Sequence, residues 1–223
     1  MAVLLAVLVA APLLAGCGSG TGSTAGSGSG TASGSGTATG SGAGAARGTA
    51  ASGAPATGGT AAPRPLARSV PVRLEIPGIG VDTPVIRLGL AKDGSVQVPP
   101  IEKNAPAGWY QGSPTPGQIG PSVILAHVTV GQYGDGVFLH LSRLKKGDHI
   151  LARLQDGASA DFTVDRVQTV AKSSFPTDAV YGNVSHPALR LITCGGPRIG
   201  GGGGYRDNVV VYASLTTAHE AAR

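Results

Sequence analysis

An all-β domain closed into a barrel is the fold class this sequence predicts, on three observations. Short Val/Ile/Leu-rich runs are separated by Gly, Pro and Asp-Gly turns. Only Val137 to Leu144, with apolar residues at 137, 138, 141 and 144, carries helical spacing, enough for one or two turns. Several runs are apolar on both faces, as a closed barrel with loops packed on its outside requires.

The elements follow in order as mainly β segments. Strands are expected at Val72 to Ile76, Val85 to Leu88, Val96 to Val98 and Val123 to Val130, then at His149 to Leu154, Ala160 to Val170, Leu189 to Cys194 and Asn208 to Leu215. Asp156-Gly157 lies between two of these runs and marks a hairpin. The chain's 16 prolines argue against a helical domain, because each removes a backbone donor and fixes φ. No repeat of a solenoid or propeller period is visible.

Composition divides the 223 residues into four parts. Residues 1–17 form a signal or anchor segment, in which Ala2 to Ala15 is apolar and uncharged. Its end, Leu14-Ala15-Gly16-Cys17, resembles the lipobox of bacterial lipoproteins, which makes Cys17 the expected lipidation site. An uncleaved anchor is the alternative, and either reading exports the rest of the chain. Residues 18–68, nearly all Gly, Ser, Thr, Ala and Pro, cannot bury enough apolar surface to fold. They are expected to act as a flexible tether with a typical span of roughly 40 Å. The domain occupies residues 69–216, enough for one core, and 217–223 form a tail. The net charge of +5 comes from scattered Lys and Arg with no basic stripe, so no nucleic-acid partner is expected.

Cys194 is the only cysteine of the domain, so it has no intradomain partner and is a free thiol. It ends the apolar run Leu191-Ile-Thr-Cys194, and Arg206 opens the next run twelve residues later. A thiol ending one strand and a guanidinium starting the next place a nucleophile beside an anion stabiliser. His127, within Val123-Ile-Leu-Ala-His127-Val-Thr-Val130, supplies a candidate acid and base. Taken singly, a lone cysteine packs as a small hydrophobe, a strand histidine as a satisfied core residue, and Arg206 beside Asp207 as a surface ion pair. Their order along the chain is what favours chemistry.

That set resembles the sortase family of bacterial transpeptidases. Further segments fit its actinobacterial class F group: Arg73-Leu-Glu-Ile-Pro-Gly-Ile-Gly-Val-Asp82-Thr-Pro-Val85, Ala107-Gly-Trp-Tyr110, Lys146-Gly-Asp148, Phe175-Pro-Thr177, Val180-Tyr-Gly182 and Tyr205-Arg-Asp-Asn-Val-Val-Val-Tyr-Ala213. The resemblance implies an eight-stranded sortase-type β-barrel and a cysteine transpeptidase acting on Leu-Pro-x-Thr-Gly-like sorting signals of surface proteins. Cys194, His127 and Arg206 would be its catalytic residues, with Ala126, Thr193 and Gly195 as neighbouring substrate contacts. The acyl acceptor would be a peptidoglycan-precursor amine or water, and the location the bacterial cell surface, held by a membrane tether. Pro197-Arg198 stands where the group commonly has Phe-Asp, and Val128-Thr129 where it has Val-Asp.

No cofactor is expected. The run at 200 to 204 lacks the Lys and Ser/Thr of a phosphate loop. No His/Cys/Asp spacing matches a zinc site, and the 172 to 190 loop carries only Asp178, too few carboxylates for calcium. The five-glycine run is expected to form a mobile gate. Trp109 and Tyr110 are either groove lining or core, and the remaining histidines, at 140, 149, 186 and 219, are expected to be structural or solvent-facing. Ile192-Thr-Cys-Gly195 does not fit the Ser-x-Gly-Cys motif of L,D-transpeptidases. The surviving rival is a noncatalytic sortase-like lipoprotein that binds peptide or wall polymer.

Overall fold

The computed structural model describes residues 63–200 and 204–221. The signal segment with Cys17, most of the expected linker and residues 201–203 of the glycine run lie outside the described residues.

Eight strands form the domain: β1 (Pro71–Ile76), β2 (Val81–Leu88), β3 (Ala107–Tyr110), β4 (Gly120–Leu125), β5 (His149–Leu154), β6 (Ser159–Ala171), β7 (Pro187–Arg198) and β8 (Tyr205–His219). They close a barrel in the order β1-β2-β3-β4-β7-β8-β6-β5. Two neighbouring pairs, β2/β3 and β4/β7, are parallel; the others are antiparallel. A single short helix, α1 (Thr177–Tyr181), lies in the β6–β7 connection.

Strand β5 has the bounds the sequence predicts, and its hairpin to β6 turns at Gly157, whose φ of 91° suits glycine. Two expectations are corrected. Val96 to Val98 is no strand, because only Val96 bridges, to Leu90. The chain at β3 takes that place, carrying Gly108 and Ala107 where an apolar run would be expected. The strand containing Val123 stops at Leu125, so His127 lies just beyond a strand end. The segment from Val137 yields a turn and one 3-10 turn, Leu141–Arg143.

Side chains of β4 and β7 alternate between two apolar clusters. Ile124, Leu189 and Leu191 join Leu74, Ile76, Trp109, Phe138, Ile150 and Phe162 inside the barrel. Val123, Leu125 and Ile192 face outward, where Leu88, Val96, Val180, Val210 and Tyr212 cover them. This second cluster explains why both faces of these strands are apolar. Trp109 is a barrel plug whose indole N–H donates to the Pro114 carbonyl at 3.1 Å, while Tyr110 faces outward, edge-on to Tyr181. Leu66 also packs against the core, and its N–H donates to the Gly117 carbonyl at 2.9 Å.

Arg190 is buried in the outer cluster, stacked with its guanidinium carbon 4.8 Å from the Tyr212 ring centre, with Arg166 on the same ring at 3.7 Å. It donates to the carbonyls of Ala179 at 3.3 Å and Leu189 at 3.1 Å, so α1 is pinned to the barrel wall. Burial lowers its affinity for a proton, and the ring face and carbonyls offset that cost.

The chain after β4 folds back on itself. Phe138 N–H donates to the His127 carbonyl at 3.0 Å and Gly136 N–H to the Val128 carbonyl at 3.0 Å. A Cβ on Gly136 would overlap the His127 carbonyl, a backbone atom that cannot step aside. Gly136→Ala is therefore expected to cost about 2–4 kcal/mol. Gly78→Ala would meet only ordinary contacts at 3.7 Å and is expected to change stability by less than about 0.5 kcal/mol. Urea melts of the two variants check the difference.

Candidate active site

Register places the site. In the parallel β4/β7 pair Val123 is level with Arg190 and Leu125 with Ile192. Two residues further along each chain come His127 and Cys194. The strand ends are held in step by the Ala126 N–H donating to the Ile192 carbonyl at 3.2 Å and the buried Thr193 hydroxyl donating to the Ala126 carbonyl at 2.7 Å. Adjacent strands lie about 4.8 Å apart, so imidazole and thiol rise from neighbouring backbones.

Parity points Cys194 outward. Arg190, Ile192 and Cys194 share a face, with Tyr212, Val210 and Asn208 opposite them on β8. Arg206, two residues before Asn208, belongs to that same face. Thr193 faces the other way, buried, and Ala126 is buried with it. Gly195 is paired with Asp207, and Asp207 is buried beside the exposed Arg206. The backbone therefore sets Cys194 and Arg206 on one outer face, with His127 just beyond the end of the neighbouring strand β4.

Cys194 is half-buried and unpaired. Burial pushes its thiol above the ordinary value, opposed by the charge of Lys172 and a hydrogen bond from it. His127 is half-exposed, with Nε2 2.7 Å from the Pro99 carbonyl. A carbonyl only accepts, so Nε2 carries the hydrogen and Nδ1 is left to take and give a proton. The Arg206 guanidinium is two-thirds exposed, and its Nε donates to Asp207 Oδ1 at 3.3 Å. That ion pair is weak at such exposure and leaves the other guanidinium donors unused.

One feature escapes sequence reasoning. Asn208, level with Cys194, is 1 % exposed, and its Oδ1 finds no hydrogen-bond partner among the described residues. It has no sequence signal, because its place depends on the β7/β8 register. Among the described residues no three His, Cys, Asp or Glu side chains cluster as metal ligands.

A family model described as the sortase domain matches residues 74–216, more than half of the chain. No curated protein matches it. Among solved structures, sortase A from Corynebacterium diphtheriae is similar with a TM-score of 0.50 at 21 % identity, over 67 % of this chain and 62 % of that one. Its lid mutant gives 0.51 at 20 % identity, over 68 % and 72 %. Sortase A from Listeria monocytogenes gives 0.51 at 17 % identity, over 70 % and 92 %. At these identities the structural likeness is one of fold, and the chain spans 62 % of the length of the Corynebacterium protein. The family match across the barrel is the stronger finding, and by it this chain belongs to the sortase family, whose members are cysteine transpeptidases.

Proposed function

We propose that this chain is an exported, membrane-tethered cysteine transpeptidase of the class F type, acting on Leu-Pro-x-Thr-Gly-like sorting signals at the bacterial cell surface. The observation that carries the reading is the parallel β4/β7 register, which runs to Leu125 and Ile192, each two residues before His127 and Cys194. Among the described residues no helix is long and apolar enough to cross a membrane. We assign the tether to residues 1–17 on their apolar, uncharged run from Ala2 to Ala15.

In this reading the proton of the Cys194 thiol passes to His127 Nδ1, and the thiolate attacks the scissile carbonyl carbon. As the carbon–sulfur bond forms and the carbon–nitrogen bond breaks, His127 gives the leaving amine a proton from Nδ1. The product is a thioester on Cys194. An incoming amine, of the peptidoglycan-precursor kind, or water then attacks that thioester, passes its proton back to His127 and releases the sulfur as thiolate. Arg206 is always charged and cannot act as a base, so its role is to hold the developing oxyanion or a substrate carbonyl. Gly195 follows Cys194 in β7, beyond the last residue paired with β4, and we assign it to substrate contact, with Thr193 and Ala126 aligning the two strand ends beside it.

Three outcomes check this. Incubation with a Leu-Pro-x-Thr-Gly peptide should give an acyl-enzyme visible by mass spectrometry on Cys194, and Cys194→Ala should lose cleavage on the order of 10³-fold or more. A noncatalytic binder would trap nothing and lose nothing.

The rate of Cys194 alkylation by iodoacetamide, which needs only the thiolate, should climb about tenfold per pH unit from pH 6 to pH 8, since burial raises the thiol's proton affinity and thiolate is scarce in that range. A rate flat across that range, measured by stopped-flow, would count against thiolate attack.

Thr193→Val, which keeps the shape and removes the strap to Ala126, should lower kcat/KM about tenfold while costing about 1 kcal/mol of stability.

A further inference from the structure

The segment from Val96 to Val98, expected as a strand, is instead the start of a strap that reaches His127. After β2 the chain reverses: Ala91 N–H donates to the Ser95 carbonyl at 2.7 Å, and Leu90 bridges Val96. Gln97 then fastens the returning segment twice to Gly89. Its backbone N–H donates to the Gly89 carbonyl at 3.0 Å, and its side-chain Oε1 accepts the Gly89 N–H at 2.8 Å. Val96 is buried in the outer cluster with Leu88 and Leu125, so the strap is packed on the layer that also holds the last residue of β4.

Pro99, two residues on, is buried and puts its carbonyl 2.7 Å from His127 Nε2. Its ring fixes φ at about −65° and leaves it no N–H to pair in a sheet. Pro100 after it excludes the helical region for Pro99 by steric conflict and holds it extended. Both torsions that aim the Pro99 carbonyl are thus restricted by covalent structure. The backbone of His127 is held separately, its carbonyl accepting the Phe138 N–H at 3.0 Å.

We propose that Gln97 and Pro100 are positioning residues for His127, holding the Pro99 carbonyl as a fixed acceptor that keeps the ring hydrogen on Nε2 and reserves Nδ1 for proton transfer. A neutral imidazole carries one ring hydrogen, and the hydrogen bond made by one nitrogen decides the state of the other. Without the carbonyl the hydrogen is free to move to Nδ1, and a ring in that form has no lone pair there to take a proton. The catalytic value of the strap rests on His127 being the acid and base of the transpeptidase reading, but the state of the ring can be read without any sorting peptide.

Full-length protein labelled with nitrogen-15 in its 5 histidines is studied by NMR at pH 9, with the His127 signals identified by their loss in His127→Gln. Couplings between ring nitrogens and ring protons distinguish the two neutral forms, and wild type should show the Nε2–H form alone. Gln97 and Pro100 are both exposed, so Gln97→Leu/Pro100→Gly removes the two restraints without opening the core. That double variant should show a mixture of the two forms and lose about tenfold in kcat on a Leu-Pro-x-Thr-Gly peptide, with KM unchanged. Gln97→Glu keeps an acceptor for the Gly89 N–H and should retain the Nε2–H form. A wild-type ring carrying its hydrogen on Nδ1 would overturn the proposal, whether or not the double variant folds. So would a folded double variant with either the wild-type ring form or the wild-type kcat. A wild-type protein that forms no acyl-enzyme, yet shows the expected ring forms, would remove the transpeptidase reading and leave the support of the ring in place.

Discussion

The parallel pairing of β4 with β7 is the constraint on which the site depends. A sheet whose strands ran antiparallel here would send the chain after Leu125 and the chain after Ile192 to opposite ends of the barrel. Parallel strands end at the same rim, so two residues remote in sequence become neighbours. The Thr193 hydroxyl secures that alignment from within, since it donates across to the Ala126 carbonyl. A buried hydroxyl held this way contributes about 1 kcal/mol, yet it sits one residue from both His127 and Cys194.

A parallel pair must be covered on both sides, and this barrel does so with unequal layers. The interior is filled by large side chains such as Trp109, Phe138 and Phe162. Outside, Val180 of α1 is buried against the β4, β7 and β8 side chains, with Phe175 and Tyr181 packed on the same patch. Arg190 sits among these apolar groups because its bonds to the Ala179 and Leu189 carbonyls and its place on the Tyr212 ring satisfy the guanidinium. The same residue thus ties the β6–β7 connection, from which Lys172 emerges, to the strand that carries Cys194.

What was legible in the sequence was what local patterning encodes. The outer ends of β5 and the Asp156-Gly157 hairpin follow from alternation and turn chemistry. Apolar runs on both faces of β4 and β7 pointed to a covered barrel. β3 was hidden because it is four residues long and needs Gly108 beside Leu88, where a Cβ would overlap the leucine side chain. Val96 to Val98 has the composition of a strand but bridges only at one end, since strand formation depends on a partner. Cys194, His127 and Arg206 could be picked out because their chemistry is rare and their order informative. Asn208 could not, because its place level with the thiol exists only once β7 and β8 are in register.

The two glycines after Cys194 show how packing and chemistry share the same positions. A Cβ on Gly195 would come within 2.7 Å of Val209 Cγ2, a residue of the barrel core. Gly196 has φ of 69°, and the Asp207 carboxylate occupies the space a Cβ would need. Asp207 in turn receives the Arg206 Nε–H. The line from Cys194 through Gly196 and Asp207 to Arg206 is therefore mechanical as well as electrostatic: the strand can bend away after the thiol only because the glycines admit the carboxylate that steadies the guanidinium. A side chain at Gly196 would displace Asp207 first and Arg206 with it, while leaving the β4/β7 register that carries Cys194 untouched. Cys194 is positioned by the parallel pair and Arg206 by the returning strand, so the proposed site draws on two supports that meet at Cys194.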